Sequence, residues 1–204
     1  LGWIDDMEAM DFFRMSEGRW YSQRTTHHLA MRRTELGQLQ ITAAVLAADA
    51  PEVTNICQMH DVDPTTAVGG ASVKWQGSMA WDEEGTQQTG ATVLVLVPDA
   101  DNPRQGQLLR EKGYAETSPV VGRYWVDDQD GLVLTTEYAT MSSIERFWFP
   151  TPSLRLRTST VIGLSNTASF CAETLVVGEA DADVPPAATS ASTGALPCHS
   201  VFGW

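Results

Sequence analysis

The sequence predicts an all-β protein with one or two short helices, an antiparallel barrel or a sandwich, and the up-and-down barrel is the preferred reading. Three observations point there. Nine or ten stretches rich in Val, Thr, Ile and aromatic residues recur between residues 19 and 177. Short polar clusters separate them, such as Asp82-Glu83-Glu84-Gly85, Asp99 to Pro103, Asp127 to Gly131 and Gly163 to Asn166. Helical periodicity dominates only ahead of Gly18. A closed barrel hides its own edges and has room for one small ligand.

Residues 3–17 place Ile4, Met7, Met10 or Asp11, and Phe13 or Arg14 at helical spacing with acids early in the segment, and Gly18 ends the helix. Residues 19–33 read as a long strand, Gly37-Gln38 as a turn, and 39–46 as a second strand. Asp49 to Met59 is a short helix or loop, with Pro51 near a first turn. Strands then follow at 71–81, 91–97, 107–109, 115–126, 132–138, 143–149, 153–161 and 167–177. From Gly178 the chain turns to acids, Pro, Ala, Ser and Thr without apolar periodicity. Residues 1–177 are therefore expected to form a barrel domain with its N-terminal helix, and 178–204 a flexible acidic tail. Phe202 and Trp204 in that tail are aromatics through which a homodimer would form.

A net charge of −13 excludes nucleic acid and anionic membrane as main partners. No apolar run approaches the roughly 18 residues of a membrane-spanning helix, and no secretory signal is visible. Lys74 and Lys112 are the only lysines among 13 basic residues. The arginines that make up the rest carry a planar fork suited to carboxylates. Cys57, Cys171 and Cys198 form neither a disulfide framework nor a metal knuckle. The adjacent His27 and His28 would face opposite sides of a strand, so no metal site is expected. Asp61-Val62-Asp63 lacks the glycine and distal glutamate of a calcium loop.

The stretch Glu145 to Ser159, ERFWFPTPSLRLRTS, carries the chemistry. On strands, Arg146 and Trp148 share one face, Phe147 and Phe149 the other, and Arg155 and Arg157 share a face of the next strand. Cations at period two beside aromatics suit a flat, apolar, doubly acidic ligand; an exposed arginine ladder on a sheet has the same spacing. Glu137, in an apolar stretch near Arg146 across an expected hairpin, is either a structural partner of arginine or a tunable proton source.

Taken together, FFRMSEGRWYSQRTTHHLA, VDPTTAVGGASVKWQGSMAWD, LVPDADNPRQGQLLREKGYAE with PVVGRY, and LTTEYATMSSIERFWFPTPSLRLRTST with SFCAET resemble the S-type phycobiliprotein chromophore lyases. The resemblance spans roughly residues 8 to 174. It implies a ten-stranded, antiparallel, lipocalin-like barrel that binds an open-chain tetrapyrrole (bilin), such as phycoerythrobilin or phycocyanobilin, without a further cofactor. It implies attachment of that bilin by a thioether to a cysteine of a phycobiliprotein β-subunit. Arg146, Arg155 and Arg157 would hold the propionates, Glu137 would contact pyrrole nitrogens or supply a proton, and Trp75 would lie near the tetrapyrrole plane. Trp20, Arg24 and Trp148 are further candidates for bilin contacts. The family's setting implies a plastid stroma or a bacterial cytoplasm. After Thr160 the chain reads VIGLSN, where the family usually has a basic residue and a glycine-phenylalanine turn. A carrier of bilin or another carboxylated apolar ligand, without lyase activity, needs the same arginines, and a solid-cored interaction scaffold needs none.

Overall fold

The computed structural model describes residues 7–110, 120–138, 140–163 and 166–178. Ten antiparallel strands close into one up-and-down barrel, each paired with its neighbours in sequence and the first with the last. They are β1 Gly18–His28, β2 Arg33–Leu46, β3 Gly69–Met79, β4 Gln88–Asp99, β5 Asn102–Arg110, β6 Val120–Val126, β7 Leu132–Glu137, β8 Met141–Thr151, β9 Leu154–Gly163 and β10 Thr167–Leu175. Two helices accompany them, α1 Ala9–Met15 and α2 Pro51–Met59. The barrel and both helices agree with the sequence reading. The start of the expected first helix, the first part of the strand expected at 115–126 and the tail beyond Gly178 lie outside the described residues.

α1 closes the end of the barrel at which β1 begins. The Asp11 carboxylate accepts a hydrogen bond from the Glu8 amide at 3.1 Å and so caps the first turn. Met10, Phe12 and Phe13 are buried against Ala71, Leu96, Leu108 and Leu132. Burying each such side chain stabilises by roughly 1.5–3 kcal/mol, enough to seat a seven-residue helix that could not stand alone. α2 instead lies on the outer wall. Its Val53, Ile56 and Cys57 form a second, smaller core with Val95 and Leu109.

Two local readings are corrected. The first hairpin turns at Leu29–Arg32, not at Gly37-Gln38: His28 pairs with Arg33, and Arg32 adopts φ 52°. Gly37 lies inside β2, where a Cβ would collide with the Met79 sulfur, so that glycine marks close packing rather than a reversal. Pro150 does not break its strand either. β8 runs on to Thr151, with its register against β9 shifting between Trp148 and Thr151, and such an irregularity tolerates a residue that cannot donate to the ladder.

Candidate functional site

Above α1 the barrel encloses a cavity of about 350 Å³, within the size range of small-molecule sites. Its lower wall is apolar, with Phe12, Phe13, Ile41, Val73, Leu94 and Leu132. Its upper wall is charged. It holds Arg24, Arg110, Arg155 and Arg157 together with Glu145 and Glu173, four guanidiniums and two carboxylates. The cavity therefore carries two formal positive charges inside a protein of net charge −13.

Strand periodicity places these groups. Phe147 and Phe149 turn inward from β8, and period two brings Glu145 in with them. Register then sets Phe147 beside Arg157, Arg157 beside Cys171, and Cys171 beside Arg24. Glu173, fully buried, accepts the Nε–H of Arg155 at 2.6 Å and lies 3.6 Å from Nη2 of Arg157. Ser22 donates to its other oxygen at 3.4 Å. Arg157 also donates to Glu145 at 3.3 Å and to the Cys171 sulfur at 3.3 Å. Arg155 lies 4.9 Å from the Trp20 ring centroid, and the Trp20 indole N–H donates to the Ser16 carbonyl at 2.9 Å.

Burial pulls the pKa of Arg155 down, and Glu173 offsets part of that. Burial also opposes the charge of Arg157, but Glu145, Cys171 and Glu173 together outweigh it and raise its pKa. Burial lowers the pKa of Arg110, with partial relief from Glu145, and its guanidinium rests 5.2 Å from the Tyr138 ring centroid. The Nε atoms of Arg24, Arg110 and Arg157 are buried without a protein hydrogen-bond partner. Each such donor costs about 1–3 kcal/mol, so the cavity wall is built to receive an acceptor-rich ligand. Trp75 lines the cavity with its indole packed against Gly90, where any Cβ would collide with it. The glycine makes room for the indole.

Of the residues predicted from the sequence, Arg24, Trp75, Arg155 and Arg157 line this cavity. Trp20 supports Arg155 from beneath and does not line it. Arg146 and Trp148 lie on the outer wall, because inward Phe147 and Phe149 force their neighbours out. There Arg146 lies 5.0 Å from the Trp148 ring centroid and donates to Asp127 at 2.6 Å. Glu137 is the last residue of β7, exposed, and paired with Ser142 rather than placed near Arg146, which pairs with Val133. With Leu132, Leu134 and Thr136 facing inward, residue 137 must face out.

The sequence reading missed three inward charges, Arg110, Glu145 and Glu173. The signal for two of them was present. Glu145 lies two residues before Phe147, and Glu173 two after Cys171, each in phase with a residue that the fold turns inward.

The Arg146–Asp127 pair has a testable pH signature. Burial alone would raise the Asp127 carboxyl, but hydrogen bonds from Arg146 and from the amides of Gly131 and Gln129 hold it below its ordinary value. A carboxylate whose folded pKa is depressed stabilises above its unfolded pKa, and that contribution is lost as pH falls through the folded value. Wild type is expected to exceed Asp127→Asn in stability near neutral pH, by at most about 1 kcal/mol for a part-exposed pair. Thermal melts taken from pH 7 down to pH 3 should show the gap closing; a gap that widens in acid would refute the assignment.

The geometry agrees with the relatives of the chain. The family model described as CpeS-like protein matches residues 8–176. Chromophore lyase CpcS/CpeS 2 of Synechocystis sp. is 55% identical over 183 residues, 89% of this chain and 95% of that one. Phycocyanobilin lyase subunit CpcS of Picosynechococcus sp. is 49% identical over 199 residues, 97% of this chain and 98% of that one. The solved structure of the S-type phycobiliprotein lyase CPES from Guillardia theta superposes with a TM-score of 0.76 at 33% identity, covering 85% of this chain and 95% of that one. Sharing sequence along nearly its whole folded length with these proteins, and their barrel, the chain belongs to the CpeS-like family of S-type phycobiliprotein chromophore lyases.

Proposed function

We propose that this chromophore lyase binds one bilin, such as phycoerythrobilin or phycocyanobilin, in the barrel cavity and presents it to a cysteine thiol of a phycobiliprotein β-subunit. The observation that carries this reading is the charge of the cavity. Two propionates would balance the two surplus guanidinium charges and reach donors that no protein acceptor satisfies. Arg24, Arg110 and Arg157 hold the propionates, while Arg155 fixes the position of Glu173, one of the two carboxylates beside Arg157. Glu145, on the inner wall beside them, faces the pyrrole nitrogens, and Trp75 lies along the ring plane. Glu137 is outside the cavity and has no part in this scheme.

The chemistry asked of the protein is modest. The thiol sulfur adds to the exocyclic ethylidene carbon of ring A, its proton passes to the pigment, no group leaves and no electron acceptor is consumed. No cofactor is needed for such an addition. Holding the bilin in one conformation, shielded from stray thiols, is catalysis by orientation. The relatives named above include cyanobacterial proteins, and a cyanobacterial cytoplasm or a plastid stroma is the setting we propose.

The test is a titration followed by a transfer. Adding phycoerythrobilin or phycocyanobilin to the protein is expected to shift and sharpen the visible absorption. Adding apo β-subunit is then expected to yield colour that stays on the acceptor in acid urea. Colour that remains only on this protein would mean a carrier, and an unchanged bilin spectrum would refute ligand binding altogether.

A further inference from the structure

We propose that the barrel rim opposite α1 is the surface that docks the acceptor protein, an assignment that rests on the function proposed above. α1 seals one end, and the cavity's charged upper wall, with Arg24, Arg110 and Thr136, lies toward the other. A thiol carried by a folded protein must therefore approach over that second rim.

The rim is dressed for a protein partner. Five exposed large apolar side chains lie there: Ile162 is 60% exposed, Met31 56%, Leu36 55%, Leu29 52% and Trp81 45%, while others such as Val68 and Val177 lie at the α1 end. They sit at or just beyond the ends of β1, β3 and β9 and the start of β2, strands whose register is continuous around the barrel. The loops that bear them are laced together. The Leu29 amide donates to the Asn166 carbonyl at 2.9 Å, and the Ala80 amide to the Leu36 carbonyl at 2.8 Å. Trp81 stacks on His28 with ring centroids 4.6 Å apart, while His28 bonds Glu35 at 2.9 Å. Glu35 in turn accepts the Trp81 amide at 3.3 Å. Trp, Met, Leu and Ile on a braced rim, with Arg32 and Arg33 exposed among them, match the composition of interface cores. Apolar groups gathered in this way mark an interaction site rather than ordinary scatter.

The occupant is the acceptor and not a second copy of the chain. A mouth-to-mouth dimer would close both cavities against any thiol and would bring together two molecules of net charge −13. The rim lies beside the charged wall of the cavity, so a partner seated there brings its cysteine to the end of the site that α1 does not close. This also assigns a role to the residues Val161 to Gly163, where the sequence departs from the usual family pattern: Ile162 helps select the acceptor.

The test compares Leu29→Asp, Ile162→Asp and Trp81→Ala with wild type and with Val68→Asp, an exposed apolar position at the sealed end. Bilin-loaded protein is mixed with apo β-subunit at several concentrations. The rim variants are expected to raise KM for the apo-subunit about tenfold or more, with bilin affinity within about twofold of wild type and Val68→Asp unchanged. Thermal melts confirm that each variant folds. An unchanged KM in all three rim variants would overturn the proposal. So would rim variants that turn a wild-type dimer into a monomer while transferring at the wild-type rate. Wild-type protein that binds bilin yet transfers it to no apo-subunit would instead remove the function reading, and the docking surface with it.

Discussion

Replacing Glu173 with alanine is expected to destabilise the ligand-free protein by about 3–5 kcal/mol, the loss associated with breaking a buried ion pair from one side. Glu173 has no solvent exposure, and its two oxygens serve Arg155, Arg157 and Ser22. Without it, Arg155 and Arg157 lose their shared carboxylate, and Glu145 is left as the carboxylate among the cavity-lining residues. For a chain of this size the midpoint of a thermal melt should fall by roughly 6–20 °C. Removing both charges together, as Arg155→Met with Glu173→Leu, should cost far less, because a buried pair contributes little beyond its own desolvation. The single variant should also respond more strongly to bilin than wild type, since an added propionate stands in for the missing carboxylate and binding to the folded state is linked to stability. A single variant that melts within about 1 kcal/mol of wild type would show that the buried network is not under the electrostatic tension described here.

What the sequence revealed and what it hid follow from one geometric fact. Alternation along a strand is visible in the chain, but which of the two faces points inward is a property of the closed sheet. The grouping of Arg146 with Trp148 and of Arg155 with Arg157 was therefore legible, as were nine or ten strands and most of the turns between them, the first hairpin excepted. The choice of face was not. On β8 both faces carry aromatics, and only the packing of Phe147 and Phe149 on α1 decides that Arg146 faces out. On β9 the cations themselves face in, against the usual preference, and they are held there by carboxylates from β8 and β10. Glu173 lies in the short segment SFCAET, two residues after the buried Cys171. Glu137 drew attention instead because it stands in a more apolar stretch. Sequence neighbourhood proved a weaker guide than strand phase.

Arg24 offers the sharpest separation between a ligand-binding and a structural role. Among the described residues it makes no ion pair, its Nε has no protein partner, and it lies one register step from Cys171 and two from Arg157. In the ligand-free protein it adds a like charge to a wall already rich in guanidinium, so Arg24→Ala should leave stability unchanged or raise it slightly. Bilin affinity should move the other way. Losing one partner of a desolvated charge pair costs on the order of 2–5 kcal/mol, which is roughly thirtyfold to several-thousandfold in Kd. Stability rising as affinity falls is the mark of a residue kept for its ligand at some expense to the fold. Arg146→Ala supplies the contrast, because its guanidinium is engaged with Asp127 on the outer wall. That variant is expected to bind bilin within about twofold of wild type while losing only the surface pair. Absorbance titrations of both variants, paired with thermal melts, decide the matter. Equal bilin affinity for Arg24→Ala and wild type, or a stronger loss in Arg146→Ala than in Arg24→Ala, would place the propionates somewhere other than this inner wall.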